Sequence, residues 1–477
     1  MTDPIRRTKI IATLGPSSRE PATMRRLVEA GVDVFRVNFS HASQHEFDRY
    51  VRDVRSVSSA CGKTVGVLAD LQGPKLRIGE LESHRPVTLM DGQTIDITTR
   101  PVVGTSRLVS TAYQALPKDV NVGDRVLLAD GALELRVAAV SGDTVNCVVV
   151  HGGVLGERKG INLPGVAVSA PALTDKDKED LAHAVKGGAD FVAISFVRQP
   201  QDVLEAKRLV RELGSDVPVA AKIEKPEAIE QLDEILRASD AVMVARGDLG
   251  VEMAVERVPT LQKLIIRRAN ANLIPVVTAT QMLESMVRAS RPTRAEASDV
   301  ANAIIDGTDA IMLSEETAAG EYPVEAVETM VRIALETEGS FPPRERRRQR
   351  VDNDSHAISR AACAISESID VRAIAAFTRS GFSARIVSKD RPNVPIYAFV
   401  PDDAIARRLK LDWGVLPCVI DFGRRTEEML ENVESELLRR GAVDRGEAVV
   451  VVGGTPMGVR GRTNLLKIVR AGESANA

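Results

Sequence analysis

Ala221-Lys222-Ile223-Glu224-Lys225-Pro226, followed at a short interval by Val244-Ala245-Arg246-Gly247-Asp248-Leu249-Gly250, is the stretch around which the rest of the chain is organised. Val217 to Ile223 and Ala241 to Ala245 are short runs of β-branched and small apolar residues bounded by Pro, Asp and Gly, the pattern of a parallel strand buried on both faces. The charged residues therefore fall at strand carboxyl ends. Two carboxylates there, Glu224 and Asp248, can supply hard oxygen ligands for magnesium, and the Lys222 ammonium can hold a transferring phosphoryl oxygen. Alone, either motif reads as an ion pair or an ordinary Asp-Gly turn; at the ends of neighbouring strands they favour chemistry.

Working outward, strand-helix alternation opens the chain. Lys9 to Leu14 reads as a strand, Pro21 to Ala30 as a helix stopped by Gly31, and Val32 to Phe39 as the next strand. That strand ends in Arg36-Val37-Asn38-Phe39-Ser40-His41, where Arg36, Asn38 and Ser40 alternate to one side. A helix from about His45 to Ala60 leads to a strand, Val65 to Ala69, closed by Asp70-Leu71-Gln72-Gly73-Pro74-Lys75-Leu76-Arg77. From about Ile78 to Val166 the helical period disappears, and short alternating strands (Arg125 to Leu128, Thr144 to Val150) are separated by Asp-Gly and Gly-Asp turns. This predicts an inserted β-rich lid whose return, Lys159 to Gly165, is a hinge.

Alternation resumes at Leu173, with strands at Phe191 to Phe196, Pro275 to Thr280 and Ala310 to Ser314, helices at Val203 to Leu213 and Pro226 to Arg237, and a capping box at Thr293 and Glu296. About eight strand-helix units result, the count of a closed (β/α)8 barrel with its site at the strand carboxyl ends. Arg36, Asp70, Ser195, Lys222, Glu224, Asp248, Thr280 and Ser314 would then share one rim. The fold class expected is α/β: residues 1–70 and 168–340 form a TIM-type barrel, residues 71–167 an inserted small β-barrel lid, and residues 341–477 a C-terminal α/β domain. The break at Ser340 to Arg350 reads as a solvated linker. In the last domain, Thr378-Arg379-Ser380-Gly381-Phe382-Ser383 lies between a strand and a helix start, where amides and hydroxyls can hold a phosphate; a routine turn with a Ser N-cap fits equally well.

Composition narrows the function. A formal net charge of −3 over 477 residues gives no global field toward nucleic acid or a membrane. The four cysteines carry no C-x-x-C pair, as expected of buried thiols in a reducing cytoplasm, and no apolar segment is long enough for a membrane span. Walker A, G-x-G-x-x-G and H-E-x-x-H patterns do not occur, so a nucleotide must be bound in another way.

Taken together, Arg36-Val-Asn38-Phe-Ser40-His41, Asp70-Leu-Gln-Gly-Pro-Lys75-Leu-Arg77, Lys222-Ile-Glu224, Ala245-Arg-Gly-Asp248-Leu-Gly, Ala279-Thr280-Gln-Met-Leu-Glu-Ser, Arg291-Pro-Thr-Arg-Ala-Glu and Leu313-Ser-Glu-Glu-Thr resemble the pyruvate kinase family nearly end to end. The resemblance implies phosphoryl transfer from phosphoenolpyruvate to ADP, giving pyruvate and ATP. It implies Glu224 and Asp248 as ligands of Mg2+, with Mn2+ able to substitute. Lys222 and Arg36 would neutralise charge in flight, and the Gly247 and Asp248 amides with Thr280 would hold the substrate carboxylate. Asn38, His41, Arg77 and Lys159 would face the nucleotide, and Thr280 and Ser314 would relay a proton. It also implies a homotetramer, and the C-terminal turn is expected to hold a phosphorylated effector at Thr378, Arg379, Ser380, Gly381 and Ser383. Potassium-dependent members hold that ion with residues matching Asn38, Ser40, Asp70 and a following Thr. Here Leu71 replaces the Thr and Lys75 stands where they carry Glu, so potassium is expected to be dispensable. Ala42 and Glu315 are further departures, the latter placing a carboxylate beside the rim. Two other readings compete: a magnesium-dependent lyase acting on a 2-oxo acid, which the Lys222, Arg36 and lid set opposes, and a non-catalytic metabolite sensor.

Overall fold

The computed structural model describes residues 5–341, 353–422, 426–454 and 463–472. Eight parallel strands close into a barrel: β1 (Lys9–Thr13), β2 (Val34–Asn38), β3 (Gly66–Asp70), β4 (Phe191–Ile194), β5 (Val219–Ile223), β6 (Ala241–Ala245), β7 (Val276–Ala279) and β8 (Ala310–Leu313), each paired with its neighbours in sequence and β1 with β8. Each strand has one apolar set inside the barrel and one against the helical shell. Ile11, Val34, Leu68, Phe191, Ala193, Met243, Val277 and Met312 fill the interior, while Ile10, Phe35, Val67, Val192 and Val244 belong to the larger cluster packed under the helices. Burial on both faces is what a continuous apolar run demands of a parallel strand.

The helices start where capping chemistry dictates. Ser43 and Glu46, Thr174 and Asp177, and Thr293 and Glu296 each form a reciprocal capping box, and Pro21, Pro200 and Pro226 open helices in the first turn, where a missing N–H costs nothing. The helix expected over Pro226 to Arg237 is instead two, Pro226–Glu230 and Leu232–Ala238. Gln231 leaves helical geometry (φ −106°, ψ 24°), and the second piece buries Leu232, Ile235 and Leu236.

Between β3 and β4 the chain forms a separate core of Ile95, Ile97, Val126, Leu128, Leu135, Val137 and Val145 around a six-stranded sheet, with a two-stranded ribbon beside it. Arg77 bridges Gly160 where the chain enters and leaves this unit. After residue 353 a five-stranded sheet forms, in which Val371–Phe377 lies centrally between Ile396–Val400 and Ala448–Gly453. Beyond Phe341, the Ser340 to Arg350 break lies outside the described residues. No disulfide joins the four cysteines, and burial pushes the Cys147 thiol up to about 12 and the Cys418 thiol up to about 11.

The C-terminal unit plugs the end of the barrel opposite the strand carboxyl ends. Leu411 joins the interior cluster, and Lys9 Nζ donates to the Val415 carbonyl at 2.7 Å. Asp309 is paired with Lys389 and, at 2.9 Å, with Arg391; Asp190 meets Arg407 at 2.7 Å, and Asp33 meets Lys410 at 2.7 Å.

Candidate functional site

The strand carboxyl ends converge as a rim of charge. Lys222, on β5, points into the mouth with Nζ 2.9 Å from Glu224 Oε1 and 3.4 Å from Asp70 Oδ1, and it donates to Ser195 Oγ at 2.8 Å. Ser195 Oγ in turn donates a hydrogen bond to the Leu71 carbonyl at 2.8 Å, so the ammonium is held from three strands. Arg36, on β2, places Nη2 2.6 Å and Nε 2.7 Å from Asp70 Oδ2, and its Nη1 donates to Thr13 Oγ1 at 3.1 Å. The other Glu224 oxygen, Oε2, accepts the Phe196 amide at 2.7 Å.

Burial and charge compete here. Desolvation works against the Lys222 ammonium, but Asp70, Glu224 and Asp248 outweigh it and raise its pKa above the usual Lys range. Glu224 is raised, first by burial and then by Asp248, with Lys222 pulling the other way. Asp70 is lowered despite its burial, because Lys222 and Arg36 both face it. His41 is lowered by burial and by Arg77, Arg36 and Lys75 together, which makes its ring a reporter of positive potential at the mouth.

Asp248 stands in the first turn of the helix Arg246–Glu252, which begins directly after β6. Arg246 fixes that turn to the next strand: its guanidinium donates to the Thr280 carbonyl at 2.7 Å and pairs with Asp299 at 2.7 Å. Thr280 is left-handed (φ 71°), and its Oγ1 accepts the Gly247 amide at 2.7 Å. The hydroxyl and the amide expected to grip one carboxylate thus grip each other. Ser314 Oγ is buried with no hydrogen-bond partner among the described residues. Glu316, which the sequence reading passed over, accepts the Ser314 amide at 2.7 Å and the Leu283 amide at 3.0 Å, while its neighbour Glu315 is exposed.

Of the remaining candidates, Asn38 Oδ1 accepts the Ser40 amide at 3.0 Å, and Lys75 Nζ lies 3.6 Å from Asp130 Oδ1 on a lid turn. Arg77 donates to the Arg158 carbonyl at 3.1 Å, one residue before the exposed Lys159. The C-terminal turn is far along the chain in another sheet. Gly381 is left-handed (φ 87°) at the start of the helix Phe382–Lys389, Ser383 Oγ is hydrogen-bonded to Thr463 Oγ1 at 2.8 Å, and Arg379 lies 5.4 Å over the Phe422 ring. Ser195 lies at the rim, where the strand ends placed it; Phe196 and Glu316 had no signal in spacing, since they act through backbone amides.

For a divalent ion, Glu224 and Asp248 fit: Glu224 Oε1 is buried, touches Lys222, and accepts no well-formed hydrogen bond. Among the described residues no cluster of three or more His, Cys, Asp or Glu could hold a metal, so an ion held by Glu224 and Asp248 would take its remaining oxygens from elsewhere.

The family model for the pyruvate kinase barrel domain matches residues 5–327, and that for the pyruvate kinase alpha/beta domain matches residues 356–469. The chain is 47% identical over 470 residues to the pyruvate kinase of Mycobacterium tuberculosis, covering 98% of this chain and 99% of the relative. It is 45% identical to that of Corynebacterium glutamicum, covering 98% of each. The crystal structure of a pyruvate kinase from Cryptosporidium parvum superposes with a TM-score of 0.90 at 36% identity, covering 98% of this chain and 96% of that one. Agreement across both family models and over the whole length leaves the lyase reading without support: the chain belongs to the pyruvate kinase family.

Proposed function

We propose that the barrel mouth carries the phosphotransfer of a pyruvate kinase, from phosphoenolpyruvate to ADP, with Lys222 and Arg36 as the cations that meet charge on the moving phosphoryl group. The observation that carries this assignment is the Lys222 ammonium, kept charged by Asp70, Glu224 and Asp248 and fixed by Ser195 at the strand ends. A preorganised charge of this kind stabilises a transition state whose charge lies on phosphoryl oxygens. Glu224 and Asp248 would hold Mg2+, or Mn2+ in its place. A bound divalent ion there supplies neutralisation of oxygens that gain charge.

Gly247, Asp248 and Thr280 would bind the substrate carboxylate, which requires the Gly247–Thr280 hydrogen bond to be exchanged for contacts with it. Thr280 and Ser314 would pass a proton to the product carbon; the unpartnered Ser314 hydroxyl supports this. Asn38, His41, Arg77 and Lys159 would meet the nucleotide phosphates, in keeping with the positive potential His41 reports. Leu71, a buried side chain with no oxygen to offer, supports activity without potassium in the region of Asn38, Ser40 and Asp70, where the Lys75 ammonium, 3.6 Å from Asp130 Oδ1 on the lid, would supply the charge instead. For the effector reading at Thr378, Arg379, Ser380, Gly381 and Ser383, the support is Arg379 alone, which lines a pocket with Pro401, Asp421 and Phe422. The chain would act as a cytoplasmic homotetramer; among the described residues no helix is long and apolar enough to cross a membrane.

Pyruvate formation from phosphoenolpyruvate, ADP and Mg2+, followed through lactate dehydrogenase, tests the assignment. Strict dependence on ADP is expected. Consumption of phosphoenolpyruvate at the same rate without ADP would restore the lyase.

A further inference from the structure

The lid, the helix after β6 and the segment after β5 meet in a buried polar knot to which the chemistry above gives no part. Glu252 ends the helix whose first turn carries Gly247 and Asp248, and it is only 5% exposed. Its Oε1 lies 2.7 Å from Lys225 Nζ and accepts the Asn162 side-chain amide at 2.9 Å. Asn162 closes the strand Ile161–Asn162 on the lid's return, three residues after Lys159. Lys225 directly follows Glu224, and its ammonium lies 5.8 Å from the Phe196 ring centroid.

Phe196 completes the circuit. Its amide holds Glu224 Oε2 from a left-handed backbone (φ 56°), a strained state for an aromatic residue. Its ring lies so close to Gly73 that an added Cβ there would come within 2.7 Å of Cδ2, and the Gly73 amide is anchored on Asp177 Oδ1 at 3.0 Å. Gly73 lies on the chain's way into the lid and Asn162 on its way back. Both rest on residues that orient Glu224 or carry Asp248. A buried ion pair adds little stability over apolar packing of the same volume, so its presence at a junction of three segments calls for a role in fixing geometry.

We propose that Glu252 is the positioning residue of a hinge clasp: holding Lys225 and Asn162 on one carboxylate oxygen, it sets where the lid, with Arg77 and Lys159, stands over Glu224 and Asp248. The inference rests on the assignment of the mouth to phosphoryl transfer. Asn162→Leu cuts the lid from the clasp and leaves the ion pair intact. A hydrogen bond to a charged group is worth about 1.5–3 kcal/mol, so the KM for ADP should rise about tenfold or more, while that for phosphoenolpyruvate, bound by barrel residues, stays within about twofold. In the free protein, amide exchange over residues 73–78 and 159–163 should quicken. Glu252→Leu should release the lid in the same way, and Glu252→Gln, which keeps an oxygen for Asn162, should restore the protection.

Wild-type lid exchange and ADP affinity in a folded Asn162→Leu protein would overturn the clasp, as would equal rises in both KM values. If Asn162→Leu does not fold, the Glu252 pair decides: identical lid exchange in the Gln and Leu variants overturns it. Full activity in Lys222→Met would sink the reading of the mouth itself, yet lid exchange, measured without any ligand, would still decide the clasp.

Discussion

Lys222 shows at the scale of one side chain what the site is built to do. It is nearly buried, yet three carboxylates keep it charged and Ser195 keeps it still, so its interaction with a phosphoryl group can be strongest when that group carries most charge. Lys222→Met should therefore lower kcat by about 10²–10³-fold, with the KM for phosphoenolpyruvate changing by less than about fivefold. A loss confined to KM would show that Lys222 only binds substrate. Lys75 makes the second prediction. If its ammonium stands in for a monovalent cation, the unmodified enzyme should run at near-full rate in sodium or an organic cation. Lys75→Glu should then lose about tenfold in rate and regain part of it with potassium. Strong potassium activation of the unmodified enzyme would refute the substitution. These residues were legible from sequence because charged side chains at the ends of apolar strands are conspicuous. Their holders were not. Phe196 and Glu316 act through backbone amides that sequence order does not reveal, and Ser195 and Asp70, though expected at the rim, show what they hold only once β2 to β5 are side by side.

Among elements, the barrel strands and the capped helices were readable, since period and caps agreed. The C-terminal sheet was half readable. Its central strands, Val371–Phe377, Ile396–Val400 and Ala448–Gly453, are apolar runs, but both edges, Val415–Val419 and Leu465–Arg470, carry no clean strand pattern. The first contains Pro417, which argues against a strand except at an edge, and the second mixes Lys467 and Arg470 into an exposed face. At this scale the turn before the helix Phe382–Lys389 carries a prediction. If it binds an effector phosphate, a screen of sugar phosphates and nucleoside monophosphates should find one that shifts the apparent phosphoenolpyruvate affinity severalfold. Ser383→Asp, by placing a carboxylate beside Thr463, should abolish that shift. No response from any of them would leave the turn as a plain strand-helix connection.

In the whole molecule, the barrel floor sets a dependence on pH. Burial pulls the Lys9 amine down to about 7, against the attraction of Asp33, and Lys389 down to about 8, against Asp309. Both groups bind protons near pH 10.5 once unfolded, so between about pH 7 and 10 the unfolded chain holds more protons than the native one. Stability contributed by these lysines must then rise with pH across that window. The unfolding midpoint should climb by about 2 °C or more from pH 7 to pH 9, and Lys9→Met should flatten the climb. A midpoint that falls over that range would count against the assignment.

The same floor has a consequence for how the polypeptide can be divided. Asp309 belongs to the barrel, but both its cations, Lys389 and Arg391, come from the C-terminal sheet, as does the carbonyl that receives the Lys9 ammonium and the leucine that stops the barrel's lower opening. Stripping a buried carboxylate of its partners costs about 3–5 kcal/mol, a large share of what holds any domain folded. A gene cut after the eighth barrel strand and its helix would therefore not encode a smaller, self-sufficient barrel. It would encode an aggregation-prone fragment, and catalysis here has had to be inherited together with the sheet beneath it.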